Sequence, residues 1–338
     1  MSWYPQYSER RSTWRGPGGD LVWIYITTDD PKVFGIGQTR GGAVTAALIE
    51  HHLRPLLLGA PALERTRTIE QLYRAALPYA AGGVLSMGLS ALELALQDLA
   101  ARALGVPLVT MLGGEPGPIP YYLTCPDTRA IPDLDTQLVE DALTVKIPMR
   151  FGPADGVAGY AQNLNDVAAV RDLLPDHTSV SVDCFMSWDI PYATAFAQDA
   201  RSLGVLWIEE PLLSDDFAGY AELRARVHPI QIAGGEHIFG LNDALRFMDN
   251  RCVDVVQVDV TWCGGLATAS TIGTIAAARG LRFAPHGAAM HPWAVHLLGA
   301  MGPARLAEVL VGLGHPAAVP KPSLEPGVGI EPFLIGFS

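Results

Sequence analysis

Five residues that can hold a cation or move a proton recur along the second half of the chain at nearly even intervals: Asp183, Glu209, Glu236, Asp259 and His286, separated by 26, 27, 23 and 27 residues. Each closes a short apolar run, at 179–183 (SVSVD), 205–209 (VLWIE), 230–236 (IQIAGGE), 253–259 (VDVVQVD) and 281–286 (LRFAPH). About 25 residues is what one strand, one crossover helix and two short loops consume, and a closed parallel barrel needs that unit repeated. Strands side by side in such a barrel bring their C-terminal ends to one rim, so residues distant in sequence become neighbours. Acidic residues that merely cap the following helix would account for any one of the five. Five in register predict one pocket, with carboxylates suited to a hard cation such as Mg²⁺ and an Asp able to orient a His and stabilise its charge.

The 338 residues, 49% hydrophobic and 17% charged, suffice for one large barrel and a smaller domain. A net charge of −12 and a pI near 5.1 argue against nucleic acid or an anionic membrane as partner, because the field of the whole molecule repels both. Cys125, Cys184, Cys252 and Cys263 show neither CxxC nor framework spacing, which predicts reduced thiols in a cytoplasmic protein. The N-terminus is polar and aromatic, without the apolar core of a signal peptide, and no uninterrupted apolar run of about 20 residues predicts a membrane span.

Residues 1–115 read as an α+β segment. LVWIYIT at 21–27 and the run at 33–37 predict an antiparallel pair turning through Asp29-Asp30-Pro31, followed by helices near 43–57, 62–79 and 86–104, the last stopped by Gly105 and Pro107. The βα rhythm begins at Tyr121, with YYLTC as first strand and LTVKIP at 143–148 as second, giving a barrel over 116–312. The tail, 313–338, is expected to run back over the first domain.

Glu209 and Glu210 are adjacent, and neighbours on a strand face opposite sides, so only one is expected to point into the barrel; strand parity alone does not choose. Lys146 and Pro148 share a face, which places an ammonium on the carboxylate rim. His237 follows Glu236 directly, and His286 can bond to Asp259. His51, His52, His177, His228 and His315 read as structural, as do His291 and His296 near the barrel mouth. Gly264-Gly265 reads as a tight strand-to-helix turn rather than a phosphate cradle.

The order Lys146, Asp183, Glu209, Glu236, Asp259 with His286, then Glu308 resembles the mandelate racemase branch of the enolase superfamily, and within it the L-rhamnonate dehydratase group. The matching stretches are YSERRSTW, KIPMRFGPADG, VDCFMSWD, WIEEPL, GEHIFG, VDVTWCGGL and FAPHGAAMH, between Tyr7 and Glu308. The resemblance implies a capping domain over a (β/α)7β barrel, Mg²⁺ on Asp183, Glu209 and Glu236, Lys146 and Glu308 beside a substrate carboxylate, and His237 on a substrate hydroxyl. It also implies a homo-oligomer. Arg150, in the Met149-Arg150-Phe151 stretch after the second strand, and Trp262 are further substrate-binding candidates. Against that pattern the chain starts inside the family's mobile loop, lacks a counterpart to the loop's substrate-contacting histidine, and is shorter after Glu308.

The expected reaction is dehydration of a sugar acid. His286 removes the C2 proton of an α-hydroxy acid and returns it to the departing 3-hydroxyl, leaving a 2-keto-3-deoxy acid. A Lys or His base beside Mg²⁺ is the general pattern of this superfamily rather than a property read from this chain. Racemisation, the rival, needs a second base, and by the resemblance that position here is Pro148. A catalytically silent member is the third alternative. L-rhamnonate, L-lyxonate and L-mannonate are the candidate substrates.

Overall fold

The structure, a computed structural model, describes residues 21–78, 82–312 and 317–331; the YSERRSTW stretch and His315 lie outside them. The chain opens with strands β1 (Val22–Thr27) and β2 (Phe34–Thr39), paired antiparallel with Val22 opposite Thr39. The turn between them is closed by Asp30, whose carboxylate accepts from Lys32 N at 2.9 Å and whose carbonyl accepts from Val33 N at 2.9 Å. Helix α1 spans 42–57 and widens into a π turn at Ile49–Leu53. Pro55, which has no N–H to give the helix, sits just beyond that turn. Helices α2 (Arg65–Ala76) and α3 (Val84–Ala103) complete the capping domain.

Helix α3 is apolar on almost every side because it is enclosed on almost every side. Among the described residues it alone is long and apolar enough to cross a membrane, yet 83% of the qualifying stretch is buried inside the protein. Its charged residues are bonded within the fold. Asp98 accepts from Ile36 N and Val328 N at 2.9 and 2.8 Å and pairs with Arg102, while Glu93 accepts from Leu266 N at 2.6 Å. Strand β2 lies directly on this helix: a Cβ at Gly35 or Gly37 would sit 1.9 Å from Ala95 O or Ala91 O. Glycine is required there for the closeness of two backbones.

Eight parallel strands follow: β3 (Tyr121–Thr124), β4 (Thr144–Pro148), β5 (Ser179–Asp183), β6 (Val205–Glu209), β7 (Gln231–Gly234), β8 (Val255–Val256), β9 (Arg282–Phe283) and β10 (Ala307–Leu310). Their order is β10-β3-β4-β5-β6-β7-β8-β9, and the Phe283–Arg305 bridge ties β9 back to the residues before β10, closing the barrel. Each successive pair is joined through a helix, so the architecture is a (β/α)7β modified TIM barrel with an α+β capping domain. Tyr122, Trp207, Ala233, Val255, Ala284 and Leu306 pack the barrel floor. Two residues on, the period of 2 puts Thr124, Glu209, Gln257, His286 and Glu308 in the layer above. β8 and β9 are shorter than their apolar runs predict. Ladder bonds still continue to the rim, with Gln257 N on Gly234 O at 2.9 Å and His286 N on Val258 O at 3.3 Å.

The stretch 317–331 lies against the end of α3 and the loop after it. Gly327 N bonds Val106 O and Leu108 N bonds Gly327 O, at 3.0 and 2.8 Å.

Candidate active site

Lys146, on β4, is buried inside the barrel. Its ammonium, fully buried above the ring of Tyr122, contacts Glu209, Glu308 at 2.9 Å and Asp183 at 3.5 Å. Burial opposes its charge, but Glu209 and Glu308 outweigh that and hold it protonated well above the ordinary lysine range. Breaking a buried group of this kind by removing one partner costs about 3–5 kcal/mol, because the remaining charges lose their compensation. Glu209 also accepts from Gln257 Nε2 at 2.6 Å and Trp207 Nε1 at 3.3 Å. Glu308 accepts from Thr124 Oγ1 at 2.5 Å and Gly287 N at 2.6 Å, and Lys146 outweighs burial to hold its carboxyl down at about 2.

Asp183 and Glu209 are register partners on β5 and β6, and Glu236 lies just past β7. All three carboxyls are pushed above the usual carboxylate range, first by burial and then by mutual repulsion: Glu236 and Glu210 act on Asp183, Asp183 and Glu308 on Glu209, and Glu210 and Glu209 on Glu236. Buried like charges without enough counter-charge are what a divalent cation relieves, and oxygen-only donors suit Mg²⁺ over thiophilic metals. The residues present therefore fit such an ion.

The expectation that only one of the adjacent glutamates faces the barrel is corrected. Glu209 shares the inward face of Trp207, as period 2 requires. Glu210 turns onto the same rim because its backbone leaves the strand for the left-handed region, at φ 40°. Phe185 and Met186 at the end of β5 do likewise, at φ 49° and 56°, and Met186 N bonds Glu210 O at 2.6 Å. Three non-glycine residues in that region within two neighbouring loops store strain at the rim, of order 1–3 kcal/mol each. Glu210 then accepts from His237 Nδ1 at 3.0 Å, and Glu210, Glu236 and His237 offer ligand atoms all within 4.8 Å of one another.

On the opposite flank His286 and Asp259 form a pair, Nδ1 to Oδ2 at 3.0 Å. Asp259 is fully buried, and its other oxygen accepts from Thr261 N and Oγ1 at 2.6 and 2.7 Å. Burial would raise that carboxyl, but the bond from His286 and the neighbouring His291 bring it below its ordinary value. Burial likewise opposes a charged His286, yet Glu236 and Asp259 hold the ring protonated well above the usual histidine range. The remaining nitrogen, Nε2, lies 3.2 Å from Glu236 Oε2 and so faces the carboxylate cluster.

His237 and His286 flank Trp262, with ring centroids 5.6 and 5.7 Å from its indole, whose Nε1 is buried without a partner among the described residues. Arg150 follows Pro148 on the loop after β4. It is exposed and lines a depression of about 270 Å³ with Thr128, Arg129, Ile147, Pro148 and Asp166, a lining that does not include Asp183, Glu209 or Glu236. A cavity of about 470 Å³ between α2, α3 and the loops after β7 and β8 contains none of the acid/base residues, so volume alone points away from this cluster. The loop after β8 carries Gly264 and Gly265 at positive φ, and Glu93 occupies the following helix N-terminus, which leaves no place for a phosphate there.

Sequence reasoning did not single out Gln257 or Gln38, read His291 as structural, and held Glu210 only as the alternative to Glu209. Period 2 back from Asp259 would have found Gln257. His291 Nε2 lies 3.9 Å from Asp259, and Gln38 bonds its other nitrogen, contacts without any local signature in the sequence.

Residues 137–332 match the family described as enolase C-terminal domain-like, and 18–113 match the mandelate racemase / muconate lactonizing enzyme N-terminal domain. The chain belongs to the mandelate racemase branch of the enolase superfamily. Within that branch it is 32% identical, over 86% of its length and 72% of the relative's, to a protein of Caldivirga maquilingensis provisionally named L-rhamnonate dehydratase. Its fold is similar to that of rhamnonate dehydratase from Gibberella zeae complexed with Mg (TM-score 0.77, 26% identity, 86% of this chain and 70% of that one). It is equally similar to a racemase from Streptomyces coelicolor A3(2) with bound magnesium (TM-score 0.80, 25% identity, 92% of each chain). Members of one branch thus carry names from different reaction types, and the site has to decide among them.

Proposed function

We propose that this enolase-superfamily member is a Mg²⁺-dependent hydro-lyase that converts an aldonate of the L-rhamnonate type to its 2-keto-3-deoxy acid. Asp183, Glu209 and Glu236 would hold the ion, which polarises the substrate carboxylate and offsets the negative charge that builds as the C2 proton leaves. His286 Nε2 takes that proton. Asp259 fixes the ring through Nδ1 and stabilises the imidazolium, which then delivers the proton to the departing 3-hydroxyl. Lys146 and Glu308 lie beside the substrate carboxylate, while His237 and the indole N–H of Trp262 bond its hydroxyls.

The observation that carries this reading is the asymmetry of the bases. Of the two imidazoles at the mouth His286 has the fixed back face, while His237 shares its Nδ1 between Glu210 and Glu236, and β4, three strands away from His286 around the barrel, ends on Pro148, which carries no proton. Lys146 is fully buried with its ammonium against three carboxylates, which suits it to hold the substrate carboxylate. Racemisation needs proton carriers on both faces. Incubation with candidate aldonates in D₂O, with and without EDTA, tests the choice: keto acid formed only with Mg²⁺ supports dehydration, whereas C2 deuterium with inverted configuration and no keto acid overturns it.

A further inference from the structure

The Asp259 carboxylate is supported from the capping domain along two separate routes, both beginning at the end of β2. Thr39 Oγ1 donates to Thr261 O at 2.7 Å, and Thr261 in turn gives both its N–H and its hydroxyl to Asp259 Oδ1. The residue before it, Gln38, bonds His291 Nδ1 at 3.1 Å, and His291 Nε2 lies 3.9 Å from Asp259 Oδ2, the oxygen that holds His286. Gln38, Thr39, Thr261 and His291 are all buried, and His291 Nε2 has no hydrogen-bond partner among the described residues. A neutral imidazole carries one N–H. If that proton sat on Nδ1, the bare lone pair of Nε2 would face a buried carboxylate, a repulsive arrangement. A half-turn of the Gln38 amide lets its NH₂ donate to Nδ1 instead, so that the ring proton sits on Nε2 and points at Asp259.

We propose that Gln38 and His291, with Thr39 and Thr261 as a second arm, are positioning residues that transmit the docking of the capping domain to the Asp259–His286 pair. Two adjacent residues on one strand end reach the two oxygens of one carboxylate, so a shift of β2 against the barrel moves both arms together. The glycine contacts of Gly35 and Gly37 on α3 hold β2 itself in place. The consequence is that the base is aimed only when the two domains are seated. Misplacement by about 1 Å costs on the order of 100-fold in rate, so small losses of seating register in turnover.

The inference rests on the proposed role of His286 for its kinetic arm, and a second, activity-independent arm separates the two. In full-length protein with Mg²⁺, His291→Leu and Gln38→Leu are expected to lower kcat on the order of tenfold to 100-fold. KM and Mg²⁺ affinity should stay within about twofold, since neither residue touches the carboxylate cluster. His291→Gln, which can donate from the same place, should recover most of the rate, and the double variant Gln38→Leu/His291→Leu should lose little more than either single one. Unchanged kcat in both single variants, or strictly additive losses, overturns the proposal. The other arm is amide hydrogen exchange of the 257–263 segment, expected to speed up in Gln38→Leu and in Thr39→Val while the β5–β7 segments stay as in wild type. Unaltered exchange overturns the proposal even if every protein is inactive on sugar acids, whereas faster exchange in an enzyme with no dehydratase activity leaves the support standing and sinks the function. A uniform rise in exchange across the barrel would show general destabilisation and overturns it as well.

Discussion

Two histidine–carboxylate pairs flank Glu236 and Trp262, and they differ in what stands behind them. In both, an imidazole Nδ1 lies 3.0 Å from a carboxylate oxygen, Asp259 for His286 and Glu210 for His237. In both, burial opposes protonation and neighbouring carboxylates overcome it, Glu236 with Asp259 for His286 and Glu210 for His237. Asp259, however, is locked by Thr261 through two further bonds and approached by His291, whereas Glu210 sits at a left-handed residue on the rim. His286 turns Nε2 towards the carboxylate cluster, while His237 shares Nδ1 between Glu210 and Glu236, the latter at 3.6 Å. Equal distances thus conceal unequal preorganisation. A base must be held in place by preorganised groups, and among the described residues it is the His286 pair that Thr261 and His291 back in this way.

The largest test of that difference is His286→Asn. Asparagine can still bond to Asp259 but cannot take a proton, so turnover should fall by the ~10² to 10⁴ expected of a general acid/base, with metal and substrate still bound. Loss of Mg²⁺ affinity on the scale of Glu236→Gln, with activity restored at high Mg²⁺, would instead make His286 a metal ligand. Glu236→Gln itself should weaken Mg²⁺ by at least the ~10-fold to 100-fold that loss of an outer-shell partner costs, and calorimetric titration together with partial recovery of rate in excess metal checks it. His237→Gln should act mainly on binding. One hydrogen bond to a substrate hydroxyl is worth roughly tenfold, so KM should rise about that much while kcat changes little; a collapse of kcat equal to that of His286→Asn would erase the contrast between the pairs.

The smallest effect concerns pH and metal removal. A carboxyl whose folded pKa lies above its unfolded one binds more protons when folded, so its contribution to stability is lost as pH rises. Asp183, Glu209 and Glu236 are all of this kind, and the window runs from the ordinary carboxylate range up to about 8, the value for Glu209. The raised His286 adds a loss of the same sign. Metal-free protein should therefore lose stability across that window, and because Mg²⁺ binds the ionised carboxylates, the gain in Tm on adding it should grow with pH by a few degrees. A gain that shrinks as pH rises would show that these carboxyls are ionised without the ion.

Much of the site was legible because strand ends are written locally. SVSVD and VLWIE are the strands as observed, ending on Asp183 and Glu209, and a shared rim follows once the barrel closes. Asp259 and His286 were found by the same spacing, although their strands are only two residues long. The glutamate pair was not decidable. Strand parity assumes uniform extended backbone, and the left-handed turn at Glu210 breaks it, bringing both carboxylates to one mouth. Arg150 follows a rim strand in sequence, and it lines a depression shared with Pro148 and Asp166 that none of Asp183, Glu209 and Glu236 lines.

The sequence by itself determined the period of the βα unit, the residue type at each strand end, and hence a barrel with one acidic, histidine-bearing rim, since strand and helix lengths and apolar periodicity are local properties. Only the tertiary structure decided that Glu210 joins Glu209 at the mouth, that Lys146 is locked among three acids, and that Gln38 and Thr39 of the capping domain bond His291 and Thr261 beside Asp259. Those relations join residues up to 253 positions apart, and no pattern along a chain encodes them, because they exist only after two separately patterned domains have packed their buried faces together.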